Sequence, residues 1–257
     1  MVRAFFFDSP SAPAPRWVRI ATPAVLLLIL ATVCWTLLAA ATSNWPAIWT
    51  YRAVFWHGWL LTVGISVAAL VLSLLAGLLL AFARRSAFLP VRSAAMIYIE
   101  IIRGSPLLVQ ILFIWSAVAL VGINDRLSTG ILILSGFSAA YLAEIIRAGV
   151  ESVGASQRES ARAIGLTPAQ TYRFVIFPQA IRHTLPALAG QFASLIKDSS
   201  LLSIIGLTEF TFAAQQVNSA TYSTLESFVP LAIGYLLLTL PVSALSRWLE
   251  HRYRYEN

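Results

Sequence analysis

Six long apolar stretches alternate with short polar segments along the chain, at roughly 21–42, 58–83, 94–121, 129–148, 184–206 and 227–246. A helix needs about 20 apolar residues to cross the hydrocarbon layer of a bilayer. The pattern therefore predicts an all-α membrane protein with six transmembrane helices and no separate soluble domain. The first stretch also invites a secretory-signal reading, because arginines precede it and Ala39-Ala40-Ala41 resembles a cleavage site. Its apolar run is longer than the roughly 7–15 residues of a signal core, so it is read as a retained helix.

Composition supports the membrane reading. Of 257 residues, 58% are apolar and 11% charged, and mean hydropathy is +0.77; a soluble domain carries about 25% charged residues. The net charge of +7 comes almost wholly from arginine. Arginines cluster before the first stretch, after the second (Arg84, Arg85, Arg92), after the fourth (Arg147 to Arg182) and after the sixth, whereas the opposite loops hold only Arg52 and Arg126. This asymmetry predicts both termini on the cytoplasmic side. The same segregation removes nucleic acid as a partner, since no continuous basic patch interleaved with aromatics is formed. Trp45, Trp49, Tyr51, Phe55, Trp56 and Trp59 crowd the first outer loop as an interfacial belt. The single cysteine, Cys34, excludes a disulfide framework or a Cys-based metal site within the chain.

The one substantial polar segment, Glu151 to His183, carries helix punctuation at two places. Ser156-Gln157-Arg158-Glu159 fits a capping box, with Ser156 as N-cap and Glu159 reaching back. Gly165 suits the left-handed residue that ends such a helix. Thr167-Pro168 offers a second N-cap with proline in the first turn, and Phe177-Pro178 is read as closing that second helix. Apolar Ala161, Ile164, Leu166, Phe174, Val175 and Phe177 lie beside Arg158, Arg162 and Arg173. An apolar patch with a basic rim suits protein docking; a helix pair lying in the headgroups is the alternative.

The spacing Glu159-Ser160-Ala161, three residues, Gly165, nine residues, Val175-Ile176-Phe177-Pro178 resembles the EAA loop of ABC importer permeases, written EAA-x3-G-x9-I-x-L-P. Glu159, Ala161, Gly165 and Pro178 match it, and Ser160, Val175 and Phe177 are mild departures. Tyr141 to Gly149, Ile102 to Gln110 and Lys197-Asp198-Ser199-Ser200-Leu201 look like the polar amino-acid branch, the histidine, glutamine, glutamate and arginine type. The resemblance implies a five-helix type I importer core at 58–250, with a coupling loop at 151–183. Residues 1–20 would be a cytoplasmic segment, 21–42 an additional helix, 43–57 an outer loop and 251–257 a cytoplasmic tail.

It further implies a bacterial inner-membrane location and three kinds of protein partner: a cytoplasmic ABC ATPase dimer, a second permease copy or paralogue, and an extracytoplasmic amino-acid-binding protein. The substrate would be a polar amino acid, moved by alternating access, with Glu159, Ser160, Ala161, Gly165, Val175, Phe177 and Pro178 forming the ATPase-coupling loop. No cofactor is expected on this chain; ATP and Mg would be used by the partner. The residues agree independently, because a P-loop needs Gly-x4-Gly-Lys-Ser/Thr and the only lysine, Lys197, follows Ser194-Leu195-Ile196.

Charges inside apolar stretches usually have a partner or a function. Glu100/Arg103 and Glu144/Arg147 are each spaced to pair along a helix. Lys197 and Asp198 are adjacent and point apart, so their partners belong on other helices or on substrate. An amino acid brings a carboxylate and an ammonium; Arg103, Gln110, Gln191, Lys197, Asp198, Ser199 and Ser200 supply complementary groups, and helix locking is the alternative role. The polar stretch Thr208 to Glu226 is read as an outer segment, a gate or a binding-protein contact.

Gly136-Phe137-Ser138-Ala139-Ala140 approaches a nucleophile elbow but lacks the last glycine. No histidine lies within a span to activate Ser138, and Gly136 and Ala140 read better as a small-residue helix contact. No metal-binding motif appears, so the chain is read as a transport subunit and not an enzyme. A stand-alone secondary transporter remains the rival, with Gly104-Ser105-Pro106 as a possible broken helix.

Overall fold

The computed structural model describes residues 15–40 and 44–253. Arg3 and Arg254 of the charge pattern lie outside them. The helices are α1 (Arg16–Ala40), α2 (Trp45–Thr50), α3 (Arg52–Ala83), α4 (Leu89–Gly104), α5 (Leu107–Leu120), α6 (Arg126–Glu151), α7 (Ala155–Ala163), α8 (Pro168–Thr171), α9 (Phe177–Asp198), α10 (Phe210–Thr221) and α11 (Thr224–Tyr253). A π turn at Tyr172–Ile176 joins α8 to α9, and a 3-10 segment at Ser199–Ile205 follows α9.

The most extensive interface lies between α3 and α6. It is close because Gly77 sits against Leu142: a β-carbon on Gly77 would stand 2.8 Å from the Leu142 Cβ. α9 packs on α6 and α11, while α10 packs on α3 and α11. Ile65, Ile111, Leu134, Leu195 and Leu202, drawn from five different elements, form the largest apolar core. Outside it, long apolar side chains such as Leu79 and Phe113 are exposed, as lipid-facing helices require. Asp125 caps α6, accepting from the Leu127 amide at 3.1 Å. The Ser128 hydroxyl holds the Asp125 carboxyl below the usual carboxylate range.

Three described helices, α3, α6 and α11, are long and apolar enough to cross a membrane, and the bent pair α4/α5 passes the same test when taken together. The apolar stretch at 94–121 is not one continuous helix: the chain bends by 114° between α4 and α5. Pro106 lacks an N–H and forces Ser105 into extended backbone (φ −121°, ψ 147°), which ends α4 there. The stretch at 184–206 is shared between α9 and the 3-10 segment, which Gly206 ends at φ +72°. The first outer loop is also largely helical, since α2 lies in it and α3 starts at Arg52, placing Phe55 and Trp56 on a helix. α1 forms no extensive interface with the other described helices. Its described apolar side chains from Val25 to Ile29 are exposed.

Candidate coupling loop and buried polar sites

The loop after α6 forms a compact helical projection. Its first helix, α7, starts two residues earlier than the capping-box expectation. Gly154 is the N-cap, without a side-chain bond, and the Gln157 amide bonds to the Gly154 carbonyl at 3.1 Å. Ser156 is therefore already helical and does not cap, and Glu159 is an exposed helical side chain. The end of α7 is as expected. Gly165 adopts φ +81°, the Leu166 amide donates to the Ala161 carbonyl at 3.0 Å, and the Gly165 amide donates to the Arg162 carbonyl at 3.0 Å. These two bonds make a Schellman termination.

Thr167 then caps α8 in a full capping box: its hydroxyl accepts from the Gln170 amide at 3.3 Å, and the Gln170 side chain accepts from the Thr167 amide at 2.9 Å. Phe177-Pro178 does not close this second helix. The chain continues through the π turn into α9, where Pro178 occupies the first turn and its missing N–H costs nothing. The projection is anchored by a small core of Val150, Val153, Ile176 and Ala180. Arg158 ties α7 to the end of α6 through the Val150 carbonyl at 3.2 Å. Ala161 is buried, whereas Glu159, Ser160, Ile164, Phe174, Phe177 and Pro178 are exposed and Val175 is half-buried. Ile164 is 76% exposed and Phe174 61%, an unusual cost for apolar side chains on a polar loop.

Next to this projection, Glu144 of α6 is a shared acceptor. It pairs with Arg147 at 2.9 Å, with Arg103 at 3.4 Å and with Arg84, while Arg147 also pairs with Glu151. The Glu144/Arg147 pairing agrees with the helix spacing. The Glu100/Arg103 pairing does not form: Glu100 is exposed, and Arg103 turns toward Glu144 and lies over the Tyr141 ring at 5.6 Å. The tight α4–α6 contact brings Arg103 nearer to Glu144 than to its own helix neighbour. That contact includes Gly136, whose carbonyl accepts from the Tyr98 hydroxyl at 2.9 Å, and Ala140, packed with Ile99. Ser138 is fully buried inside α6.

The remaining polar residues of the expected pathway fall at separate positions. Gln110 is buried, and its Nε2 donates to the Ile102 carbonyl at 2.8 Å and to Ser105 at 2.9 and 3.1 Å, stitching the α4/α5 break. Gln191 is half-buried on α9. Lys197 is exposed and Asp198 half-buried at the end of α9. Ser199 and Ser200 bond back to the Ile196 and Lys197 carbonyls, each at 2.7 Å.

Glu209 is a buried charge that the sequence reading passed over. It is fully buried as the N-cap of α10. Its carboxylate accepts from the Thr211 and Phe212 amides at 2.9 Å, the Tyr235 hydroxyl at 3.1 Å and the Thr62 hydroxyl at 3.4 Å. The bonds join α3, α10 and α11. Glu226, also buried, accepts from the Asn44 amide at 3.0 Å.

Membrane-crossing helices, a broken helix pair packed on α6 and a helical projection between α6 and α9 are features of a transport subunit. Residues 73–255 match the family described as binding-protein-dependent transport system inner membrane component, and the chain belongs to that family. It is a permease subunit of an ABC importer, the type whose ATP is hydrolysed by a partner. The glutamine transport system permease protein GlnP of Escherichia coli K12 is 36% identical over 212 residues, covering 81% of this chain and 97% of GlnP. The arginine transport system permease protein ArtQ of Bacillus subtilis is 30% identical over 198 residues, covering 76% of this chain and 90% of ArtQ. A crystal structure of an amino acid ABC transporter with histidines superimposes with TM-score 0.78 at 37% identity, covering 82% of this chain and 99% of that one. The methionine transporter MetNI shares the fold, with TM-score 0.61 at 18% identity, over 83% of this chain and 100% of that one. Membership of this family answers the secondary-transporter rival.

Proposed function

We propose that the chain carries a polar amino acid across the inner membrane by alternating access and is coupled to its ATPase through the projection at 151–183. The exposure of Ile164 and Phe174 on capped, rigid helices carries this reading. A docking surface gains from preformed apolar anchors, and a rigid connection passes displacement into α6 and α9, which flank it. Glu159, Ser160, Ala161, Gly165, Val175, Phe177 and Pro178 form the coupling element: Ala161 and Gly165 hold its shape, and Glu159 meets the partner directly. The family relation and the arginine asymmetry support six spans, α1 included, with both termini cytoplasmic. The partners are an ATPase dimer, a second copy or a paralogue of this permease, and an extracytoplasmic binding protein.

The permease relatives named for glutamine and arginine support a polar amino acid as substrate. Lys197 and Asp198 offer a cation for its carboxylate and an anion for its ammonium, at the point where α9 gives way to the 3-10 segment. Arg103, Gln110, Gln191, Ser199 and Ser200 are assigned to the same pathway, Gln110 through its amide oxygen because its nitrogen is already committed. Uptake of radiolabelled glutamine, glutamate, histidine and arginine by the reconstituted complex tests the assignment. Lys197→Ala and Asp198→Ala are expected to abolish uptake while the projection still binds ATPase. Undiminished uptake of every substrate in both variants would remove those residues from the pathway.

A further inference from the structure

At the loop-side end of the bundle, a cavity of about 530 Å³ opens between the ends of α3 and α6 and the π turn. Its apolar wall includes Leu78, Phe82 and Ile146, and its polar wall includes Arg84, Arg85 and Arg147. Phe82 is 63% exposed and Leu78 37%, so the apolar wall is continuous with the outward face of α3. Arg84 and Arg147 are engaged by Glu144 and Glu151. The Arg85 guanidinium has no hydrogen bond or ion pair among the described residues and stands 6.0 Å from the centre of the Tyr172 ring. With Arg103 also on Glu144, four guanidinium groups face two carboxylates, which leaves the cluster cationic.

The geometry points to a binding site for an anionic phospholipid. We infer that the lipid phosphate sits at Arg85 and the rim of the cavity, with an acyl chain along Phe82, Leu78 and Ile146. Three observations select a lipid over a protein segment or a free anion. The arginines stand where the long apolar helix α3 ends, which is headgroup depth for a spanning helix. The pocket joins a cationic wall to an apolar one that faces outward, and basic pockets between spans at this depth suit anionic headgroups. The cation without an ion pair, Arg85, is exposed, whereas Arg84 and Arg147 are held by Glu144. Because Tyr172 and Phe177 also line the cavity, a lipid there would brace the root of the projection. The inference rests on membrane insertion and not on the substrate or coupling assignment.

Native mass spectrometry of the full-length chain in mild detergent, mixed with equal phosphatidylglycerol and phosphatidylcholine, tests it without ATPase or substrate. Wild type should retain phosphatidylglycerol preferentially. Arg85→Gln should lower that retention about fivefold, the size expected for one arginine at an anionic surface. Arg85→Lys should keep most of it, and Arg126→Gln, at the opposite end of α6, should match wild type. Equal retention of the two lipids, unchanged retention in Arg85→Gln, or displacement of the lipid by inorganic phosphate would each overturn the proposal.

Discussion

Glu209 is held at the start of α10 by two backbone amides and two hydroxyls, so its carboxylate joins three helices at one point. Glu209→Ala leaves the Thr211 and Phe212 amides and the buried Thr62 hydroxyl without their acceptor. Buried donors left unpaired cost about 1–3 kcal/mol each, so the variant should unfold at a clearly lower temperature in a thermal melt of the detergent-solubilised chain. Glu209→Gln retains an acceptor oxygen and should lie between. Little in the sequence marks this role, because Glu is not among the favoured N-cap residues and Thr208 to Glu226 reads as a polar outer segment. The loop residues divide in the same way. Thr167 is legible because Thr-Pro offers an N-cap with proline in the first turn, whereas the Ser156 signature is overridden by Gly154, which takes the cap. Thr167→Ala should therefore cost about 1 kcal/mol and Ser156→Ala should be neutral in the same melt; a reversed order would contradict the observed caps.

Elements were legible where hydrophobicity alone sets them and illegible where tertiary contacts decide. α3, α6 and α11 follow from their apolar runs, and the α4/α5 break follows from Pro106, but its 114° angle does not. That angle is fixed by Gln110, which reaches across to Ile102 and Ser105. Gln110→Leu should leave those acceptors unpaired and loosen the bend, lowering the melting temperature and raising proteolysis at Gly104–Pro106. Similarly, the pairing of Arg103 depends on how α4 packs on α6, which helix spacing within α4 cannot reveal. Glu144→Gln should destabilise the chain more than Arg103→Gln, since Glu144 serves three arginines. In the projection, Gly165 has open space around its α-carbon, so only its left-handed backbone constrains it. Gly165→Asn should preserve coupled uptake and Gly165→Val should reduce it, because Asn tolerates that conformation and a β-branched residue does not.

At the scale of the whole molecule, α3, α6, α9 and α11 form a packed bundle from which the projection protrudes, rooted on the end of α6 and the start of α9. On the proposed reading, force applied to Ile164 and Phe174 would reach both helices through the small core of Val150, Val153, Ile176 and Ala180. Class and family were readable from hydropathy, arginine placement and the EAA spacing because those signals are local in sequence. The gathering of Arg84 and Arg103 onto Glu144 was not, because it exists only in the assembled bundle. The role proposed for the projection is contact with the ATPase. It is tested by co-purifying the transporter from its own membranes in mild detergent, comparing wild type with an Ile164→Asp, Phe174→Asp double variant. Both side chains are exposed, so the variant should insert and fold as wild type does. ATPase activity should accompany the wild-type chain and be lost from the folded variant. ATPase activity retained in full by that variant would contradict it.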